Sequence, residues 1–387
     1  MTDKHNNARS RRLRLGMVGG GRDAFIGAVH RMAARLDDRY ELVAGCFSST
    51  AEKSRASAAD LGVAADRAYD DFEAMAAAET ARDDGIDVVS IVTPNHVHFS
   101  AAKAFLDAGI HVICDKPMTT SLEDAEALAS LVDRTGLIFV LTHNYTGYPM
   151  IRHARAMVQA GEIGKVRVVQ AEYPQDWLSR KLEDTGLKQA AWRTDPAKSG
   201  PAGALGDIGT HAFNLACFVT GLRLDAVMAD VSTFVEGRKL DDNVHVLTRW
   251  QGGARGMIWA SQVAPGNENA LKLRVYGETG ALEWHQEDPN YLLVSKLGEP
   301  RQRLTRGMDG LVDAAKRATR IPPGHPEGYL EGFATIYADA AELITARLEN
   351  REPDPEATTL PSVRDGVDGV KFITDVLASA QAGGVWT

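Results

Sequence analysis

Cysteine is scarce in this chain. Cys46, Cys114 and Cys217 are the whole complement, odd in number and widely spaced. That excludes a disulfide scaffold and any paired-cysteine zinc site. No stretch approaches the roughly 18 consecutive apolar residues that a membrane-spanning helix needs. Basic residues do not dominate either, with 43 Lys and Arg against 52 Asp and Glu and a formal net charge of −9. Binding nucleic acid in general requires a basic face, so no nucleic-acid or membrane partner is expected. Internal repeats and low-complexity segments are also missing. What is present is ordinary globular composition, 44% hydrophobic and 25% charged over 387 residues. That length exceeds one comfortable core and predicts two domains, of roughly 150–230 residues each, in a cytoplasmic protein.

The N-terminus is polar over Met1–Ser10 and basic at Arg11, Arg12 and Arg14. A twin-arginine export signal would need an apolar core and a small-residue cleavage site afterwards. Here the apolar residues run directly into Gly19–Gly21, which suits a first strand, so 1–12 reads as a disordered basic tail. From there to Asn144, apolar runs at Leu13–Val18, Glu41–Phe47, Asp87–Val92, Ile110–Cys114 and Ile138–Thr142 alternate with helical patterns. The helical patterns are Ala24–Leu36, Ala51–Leu61, Val97–Asp107 and Ser121–Thr135, the last with Thr120 and Glu123 at capping-box spacing. Buried strands separated by helices predict a doubly wound parallel sheet over 13–145. Beyond 145 the texture changes. A helix is predicted at Pro149–Gln159, a strand at Val166–Tyr173 and a polar, turn-rich stretch at Pro174–Gly203. Six short β runs follow between Ala226 and Ser295, with connections suiting an antiparallel meander, and helices around Glu327–Leu348 and Ser362–Ala380 close the chain. This gives a second, α/β domain over 146–387.

Gly19-Gly20-Gly21-Arg22-Asp23-Ala24 matches G-x-G-x-x-A between a predicted strand and helix, the context of a dinucleotide fingerprint. Gly19 allows a tight turn, Gly21 a close approach of backbone to pyrophosphate, and Ala24 close helix–strand packing. The cofactor set from this loop is Gly19, Gly21, Arg22, Asp23, Ala24, Phe25 and Ile26. The second strand ends Cys46-Phe47-Ser48-Ser49 without the carboxylate that holds a bare ribose, and Lys53 and Arg55 follow. Hydroxyls of Ser48 and Ser49 with a nearby cation suit a 2′-phosphate; a solvated helix face is the alternative.

Thr93-Pro94-Asn95-His96-Val97-His98 follows a strand at the edge where open α/β sheets bind ligands. Thr93, Pro94, Asn95 and His98 join the cofactor set. No further ligand group sits at metal spacing, so no metal is expected. Cys114-Asp115-Lys116-Pro117 ends the next strand, where Lys116, partly desolvated, is placed to polarise a substrate hydroxyl. Asp207-Ile-Gly-Thr-His211 leads into a helix over Ala212–Val219, and the acid and the imidazole, four apart, would share one face if that segment is helical. Such a pair serves either as a helix cap with a polar contact, or as a proton acceptor with its tuning carboxylate.

Taken together, these motifs resemble the glucose–fructose oxidoreductase/inositol dehydrogenase/MocA family. The resemblance implies that Lys116 is catalytic, that Asp207 and His211 form the second catalytic region with His211 as proton acceptor, and that Trp192-Arg193 closes the site near the cofactor. It also places Ser48 and Lys53 at 2′-phosphate-contacting positions, a slight lean to NADP within an NAD(P) assignment. The family's usual glutamate is Asp115 here, one methylene shorter. The implied fold is a Rossmann domain plus an α/β domain with a large open, mainly antiparallel sheet whose outer face makes homodimer or homotetramer contacts. Family members oxidise a secondary alcohol of a sugar, cyclitol or sugar derivative. Substrate contacts expected here are Lys116, His143, Asn144, Tyr145, Asp207 and His211, with Tyr173, Trp177, His325 and Tyr329 as further candidates. Two alternatives stand beside dehydrogenation. One is redox-neutral glycoside cleavage on the same fold; the other is a dinucleotide-binding regulator, which would need neither Lys116 nor His211.

Overall fold

Short apolar runs too brief for helices become strands, and the longer amphipathic segments between them become their covers. The computed structural model describes residues 11–22 and 24–387, so residues 1–10 of the predicted tail 1–12, and Asp23, lie outside the described residues. The last two tail residues are instead held by ion pairs, Arg11 to Asp87 and Arg12 to Asp38, each at 2.6 Å. Strands β1 (Leu13–Gly19), β2 (Tyr40–Cys46), β3 (Val88–Val92), β4 (His111–Cys114) and β5 (Phe139–Leu141) form a parallel sheet in the order β2-β1-β3-β4-β5. Every residue of β3, β4 and β5 is buried, which is why these runs show no alternation. Helices α1 (Phe25–Leu36), α2 (Ala51–Asp60), α3 (Phe72–Thr80), α4 (His98–Asp107) and α5 (Leu122–Thr135) connect them. Helix α3 has no counterpart among the predicted elements; its alanine-rich sequence lacks a periodic apolar face, though Met75 and Ala76 are buried. The cap of α5 lies one residue later than predicted. Ser121, not Thr120, accepts from the backbone N–H of Asp124 at 3.2 Å.

The second half opens with α6 (Pro149–Gln159) and β6 (Val166–Pro174). Two short helices, α7 (Lys188–Arg193) and α8 (Pro196–Ser199), lie within the stretch predicted as turn-rich, and α9 (Thr210–Thr220) follows. Strands β7 (Leu224–Ser232), β8 (Asn243–Trp250), β9 (Arg255–Ser261), β10 (Lys272–Gly277), β11 (Gly280–His285), β12 (Tyr291–Lys296) and β13 (Gln302–Thr305) complete an eight-stranded sheet. Its order is β13-β12-β11-β10-β6-β9-β8-β7, antiparallel except where β6 inserts parallel to β9. Ile151, Leu215, Ala216, Phe372 and Val376 of the covering helices pack on Ala171, Val227, Ile258 and Leu273 of one sheet face. The opposite face leaves Leu247 and Tyr276 exposed.

Helices α10 (Asp313–Arg317), α11 (Tyr329–Leu348) and α12 (Val363–Gln381) end the chain. Helix α11 crosses back to the first sheet, burying Phe333, Ala334, Ile336, Tyr337 and Ile344 against Leu15, Val88, Ile113 and Val140. A buried ion pair, Arg152 to Asp339 at 2.5 Å, ties α6 to α11. The two halves are therefore packed together, and the carboxyl ends of β1, β3 and β4 face the second sheet across a cleft.

Candidate active site

The cleft holds a cavity of about 510 Å³ lined from both halves, by Phe25, Ile26, Asp115, Lys116 and Asn144 on one side and Tyr173, Gln175, Trp192, Asp207 and His211 on the other. Lys116 reaches it from the end of β4. Its ammonium donates to the Asp207 carboxylate at 3.0 Å and to the Asp207 carbonyl at 2.5 Å. Asp207 sits in a wide π turn, Leu205–Gly209, that runs into α9, rather than on a regular α-helix. Helix irregularities of this kind are concentrated at functional sites. The start of that turn is held from a distance: the Asp241 carboxylate accepts the backbone N–H groups of Gly203 (2.6 Å) and Leu205 (2.8 Å).

Gln262 Nε2 donates to the other Asp207 oxygen at 2.9 Å, and Arg193 Nε lies 3.3 Å from it. Burial alone would raise the proton affinity of this carboxyl. Lys116 and Arg193 more than reverse that and hold it well below the usual carboxylate range. The pairing differs from the sequence-based expectation in one respect. Asp207 forms no hydrogen bond to His211, whose Nδ1 meets His143 Nδ1 at 3.4 Å instead. Burial, then the charge of Lys116, keeps both imidazoles neutral; His143 is pushed down to about 3 and His211 lies well below its usual range.

The other wall is a chain of neutral donors and acceptors. Tyr145 and Tyr173 hydroxyls are 2.5 Å apart, Tyr173 donates to Asn269 Oδ1 (2.6 Å), and Gln175 donates to the same oxygen (2.7 Å). Asn269 donates on to Gln286 at 3.1 Å, and Trp177 to Gln175 at 3.1 Å. Asn144 Nδ2 is buried without a partner while Asn144 lines the cavity. Trp192 stacks beneath the Arg193 guanidinium at 4.4 Å, and Tyr329 and Phe333 bring the start of α11 to the same cavity.

Several expected residues lie elsewhere. His325 is exposed and lines a separate cavity with Arg306 and Glu327, so it does not join this site. His143 is behind His211 and outside the cavity lining. His98 is fully buried, with its ring nitrogens 2.8 Å from Pro117 O and 2.9 Å from Thr93 O, and clasps two turns together. Asn95 donates to Ser199 O at 2.8 Å and pins the loop after β3 to the second half. Asp115 accepts from its own neighbour's N–H and from Thr142 at the foot of the cavity. Arg55 is paired with Asp70. Conversely Gln175, Gln189, Gln262, Asn269, Gln286 and Phe333 were not expected. Single amides at strand ends, one on α7 and one ring on α11 carry no local pattern, and only the fold brings them together.

The glycine loop fits a dinucleotide, with a changed division of labour. Gly19 has φ +82° and Gly20 φ +71°, the left-handed region that favours glycine. The close strand–helix approach is made by Gly20 and Gly27, where a Cβ on Gly27 would meet Gly20 Cα at 2.3 Å; Ala24 is instead the N-cap residue. A Cβ on Gly21 would meet Phe47 O and Ser57 Oγ at 2.6 Å, so this glycine serves the packing of the loop on β2 and α2. Helix α1 has neither an acidic residue in its first turn nor a side-chain cap, leaving its N-terminal dipole available to a phosphate. Ser48 and Ser49 follow β2 at the adenosine end of such a site, and Lys53 is on the first turn of α2.

Residues 13–143 match the oxidoreductase family with an NAD-binding Rossmann fold, and residues 151–283 match the GFO/IDH/MocA C-terminal domain. The chain belongs to the GFO/IDH/MocA family. It is thus an NAD(P)-dependent oxidoreductase. Among solved structures, an oxidoreductase from Sinorhizobium meliloti is 53% identical, with a TM-score of 0.89 and coverage of 98% of this chain and 100% of that one. An inositol dehydrogenase homolog from Azotobacter vinelandii, complexed with NADH and myo-inositol, is 37% identical with a TM-score of 0.90 and 98% coverage of both chains. The uncharacterized oxidoreductase YfiI of Bacillus subtilis (strain 168) is 37% identical over 97% of both chains. In this GFO/IDH/MocA protein the Rossmann sheet and the mainly antiparallel second sheet are those implied by the sequence motifs.

Proposed function

We propose that this GFO/IDH/MocA oxidoreductase oxidises a secondary hydroxyl of an uncharged sugar or cyclitol. The observation that carries the reading is the charge arrangement of the cavity. Its two cations, Lys116 and Arg193, are both drawn to Asp207, while the opposite wall is amide, hydroxyl and aromatic. Among the described residues, a phosphorylated or nucleotide-linked substrate would find no cavity cation uncommitted to this carboxylate, whereas a polyol meets hydrogen-bond partners throughout. The Azotobacter homolog complexed with NADH and myo-inositol supports the same substrate class.

Bound dinucleotide would supply the hydride acceptor, with Gly19–Gly21 and the start of α1 holding its phosphates. Lys116 then steadies the alkoxide that forms as carbon loses hydride, and neutral His211 accepts the hydroxyl proton. Asp207 keeps Lys116 aimed at the cavity. Phe25, Ile26 and Trp192 limit water at the reacting carbon. Ser48, Ser49 and Lys53 support a lean to NADP. Self-association through the sheet face bearing Leu247 and Tyr276 is part of the same proposal.

The test is a panel of cyclitols, free sugars, glycosides and sugar phosphates with NAD and NADP, following reduced nicotinamide and released products together. A neutral polyol giving one reduced nicotinamide per ketone supports the reading. Release of a free sugar from a glycoside with no net reduction would replace it with redox-neutral cleavage. His211→Ala is expected to lower turnover by about 10²–10⁴ while sparing dinucleotide affinity.

A further inference from the structure

His143 and His211 come from opposite halves of the chain, yet their rings meet with centroids 5.3 Å apart and planes at 84°. A neutral imidazole carries one N–H, so the 3.4 Å Nδ1–Nδ1 contact is attractive only if one ring donates and the other accepts. The backbone of His143 is fixed independently. Its N–H donates to Leu141 O (2.8 Å), and its carbonyl accepts from Thr146 N (3.1 Å) and Thr146 Oγ1 (2.9 Å). Tyr145 flanks His211 at 4.9 Å and Tyr173 at 6.2 Å, so the His211 ring is hemmed in, and the His143 ring is itself buried. The charged groups facing the pair are Lys116 and Asp207 towards His211, and Lys116 and Asp115 towards His143. Among the described residues none of them hydrogen-bonds either ring.

The direction of the bond follows from what His211 must do, and the inference rests on that reading of His211. A proton acceptor facing the cavity needs an open lone pair on Nε2, so its own proton must be on Nδ1. When the hydroxyl O–H breaks and Nε2–H forms, the electron pair leaves carbon as hydride to the oxidised dinucleotide, and His211 becomes an imidazolium. Were His143 the donor, two N–H groups would then oppose each other at this contact. With His143 as acceptor, the same bond becomes charge-assisted and strengthens as the proton arrives. We propose that His143 is a positioning residue, holding His211 in its Nδ1–H tautomer so that Nε2 is the basic atom at the cavity.

The test uses full-length, dinucleotide-loaded protein labelled with ¹⁵N-histidine, with His211 assigned by its loss in His211→Gln. Long-range ¹H–¹⁵N spectra at pH 7.5 are expected to show His211 protonated on Nδ1 in the wild type and on Nε2 in His143→Leu. On the best polyol, His143→Leu should lose about 10- to 100-fold in kcat, the size of one hydrogen bond to a charged group, with dinucleotide affinity within about twofold. His143→Asn places an amide oxygen where Nδ1 stood and should recover most of that loss. Three results would each overturn the proposal: an Nε2–H tautomer in the wild type, a His143→Leu variant within about threefold of wild-type kcat, or His143→Asn as slow as His143→Leu. The spectra need no substrate, so failure of the whole polyol panel would leave this test standing and would count against the proposed reaction alone.

Discussion

Replacing Asp207 by asparagine changes one atom and removes the charge on which the site converges. Lys116 (side chain 12% exposed) and Arg193 (20%) would then sit beside each other without a carboxylate between them. Breaking a buried pair by removing one partner costs about 3–5 kcal/mol, because the remaining charge stays desolvated. For a chain of 387 residues, an unfolding entropy of about 2 cal/mol/K per residue converts this to a fall of roughly 4–6 °C in Tm. Turnover should fall by about 10²–10⁴, since Lys116 loses the group that aims it. The decisive arm is Lys116→Met combined with Asp207→Asn. Removing both members of the pair should recover part of the lost Tm but none of the turnover, because stability depends on charge balance and catalysis on the ammonium itself. Scanning calorimetry and single-turnover hydride transfer read the two separately. If Asp207→Asn left Tm within 1 °C and the double variant were no more stable than the single, the ion pair would carry no net energy and the reasoning would be wrong.

Acid should unfold the protein early. His30 and His111 are pushed down to about 4 and His143 to about 3, each chiefly by burial, so between pH 6.5 and 4 the unfolded chain binds more protons than the native one. Each such histidine removes about 1.4 kcal/mol of stability per pH unit in that window, while above pH 6.5 none of this loss applies. Urea midpoints at pH 7.5 and 5.0 measure it, and equal midpoints would contradict the burial argument. The acid limb of kcat/KM should likewise fall below pH 6.5, because His211 stays neutral there. A limb at 6.5 or above would remove His211 as the titrating acceptor. Gly27→Val should abolish dinucleotide binding together with stability of the first half, since its Cβ would overlap Gly20; calorimetric titration beside a melting curve would show both losses. Lys53→Ala should weaken NADP by tens of fold and NAD little, and equal losses for both would dissolve the NADP lean.

The Rossmann half was legible because burial on both sheet faces writes unbroken apolar runs such as Val88–Val92, and because glycines mark the turn after β1. The second half was legible as strands but not as an order. Nothing in Val166–Pro174 announces that β6 will lie parallel to β9 between two meanders, since side-chain alternation is the same for either direction. The site divides in the same way. Lys116, Asp207 and His211 stand in motifs, whereas Asn269 and Gln286 lie in or beside a turn 50 residues or more further along and meet Tyr145 and Tyr173 only through the folded sheet. Asp207 and His211 both line the cavity, yet their spacing could not say that each would turn to a different partner.

In the proposed reaction, that divergence gives one turn two chemical tasks. A carboxylate bonded directly to His211 would favour the imidazolium and blunt its neutral, proton-accepting form. Here Asp207 instead accepts hydrogen bonds from Lys116 and Gln262 and is ion-paired with Arg193, so its charge holds the ammonium in place. His211, four residues on, is left to a neutral partner in His143. The wide turn at Leu205–Gly209 also lets the Asp207 carbonyl receive the same ammonium, giving Lys116 two acceptors from one residue of the opposite half. With Asn95 bonded to Ser199 and His98 clasping the turns after β3 and β4, the halves are docked around the cavity in the folded chain. In the proposed reaction, the groups that would handle the proton are thus held by the packing of the two sheets before substrate arrives.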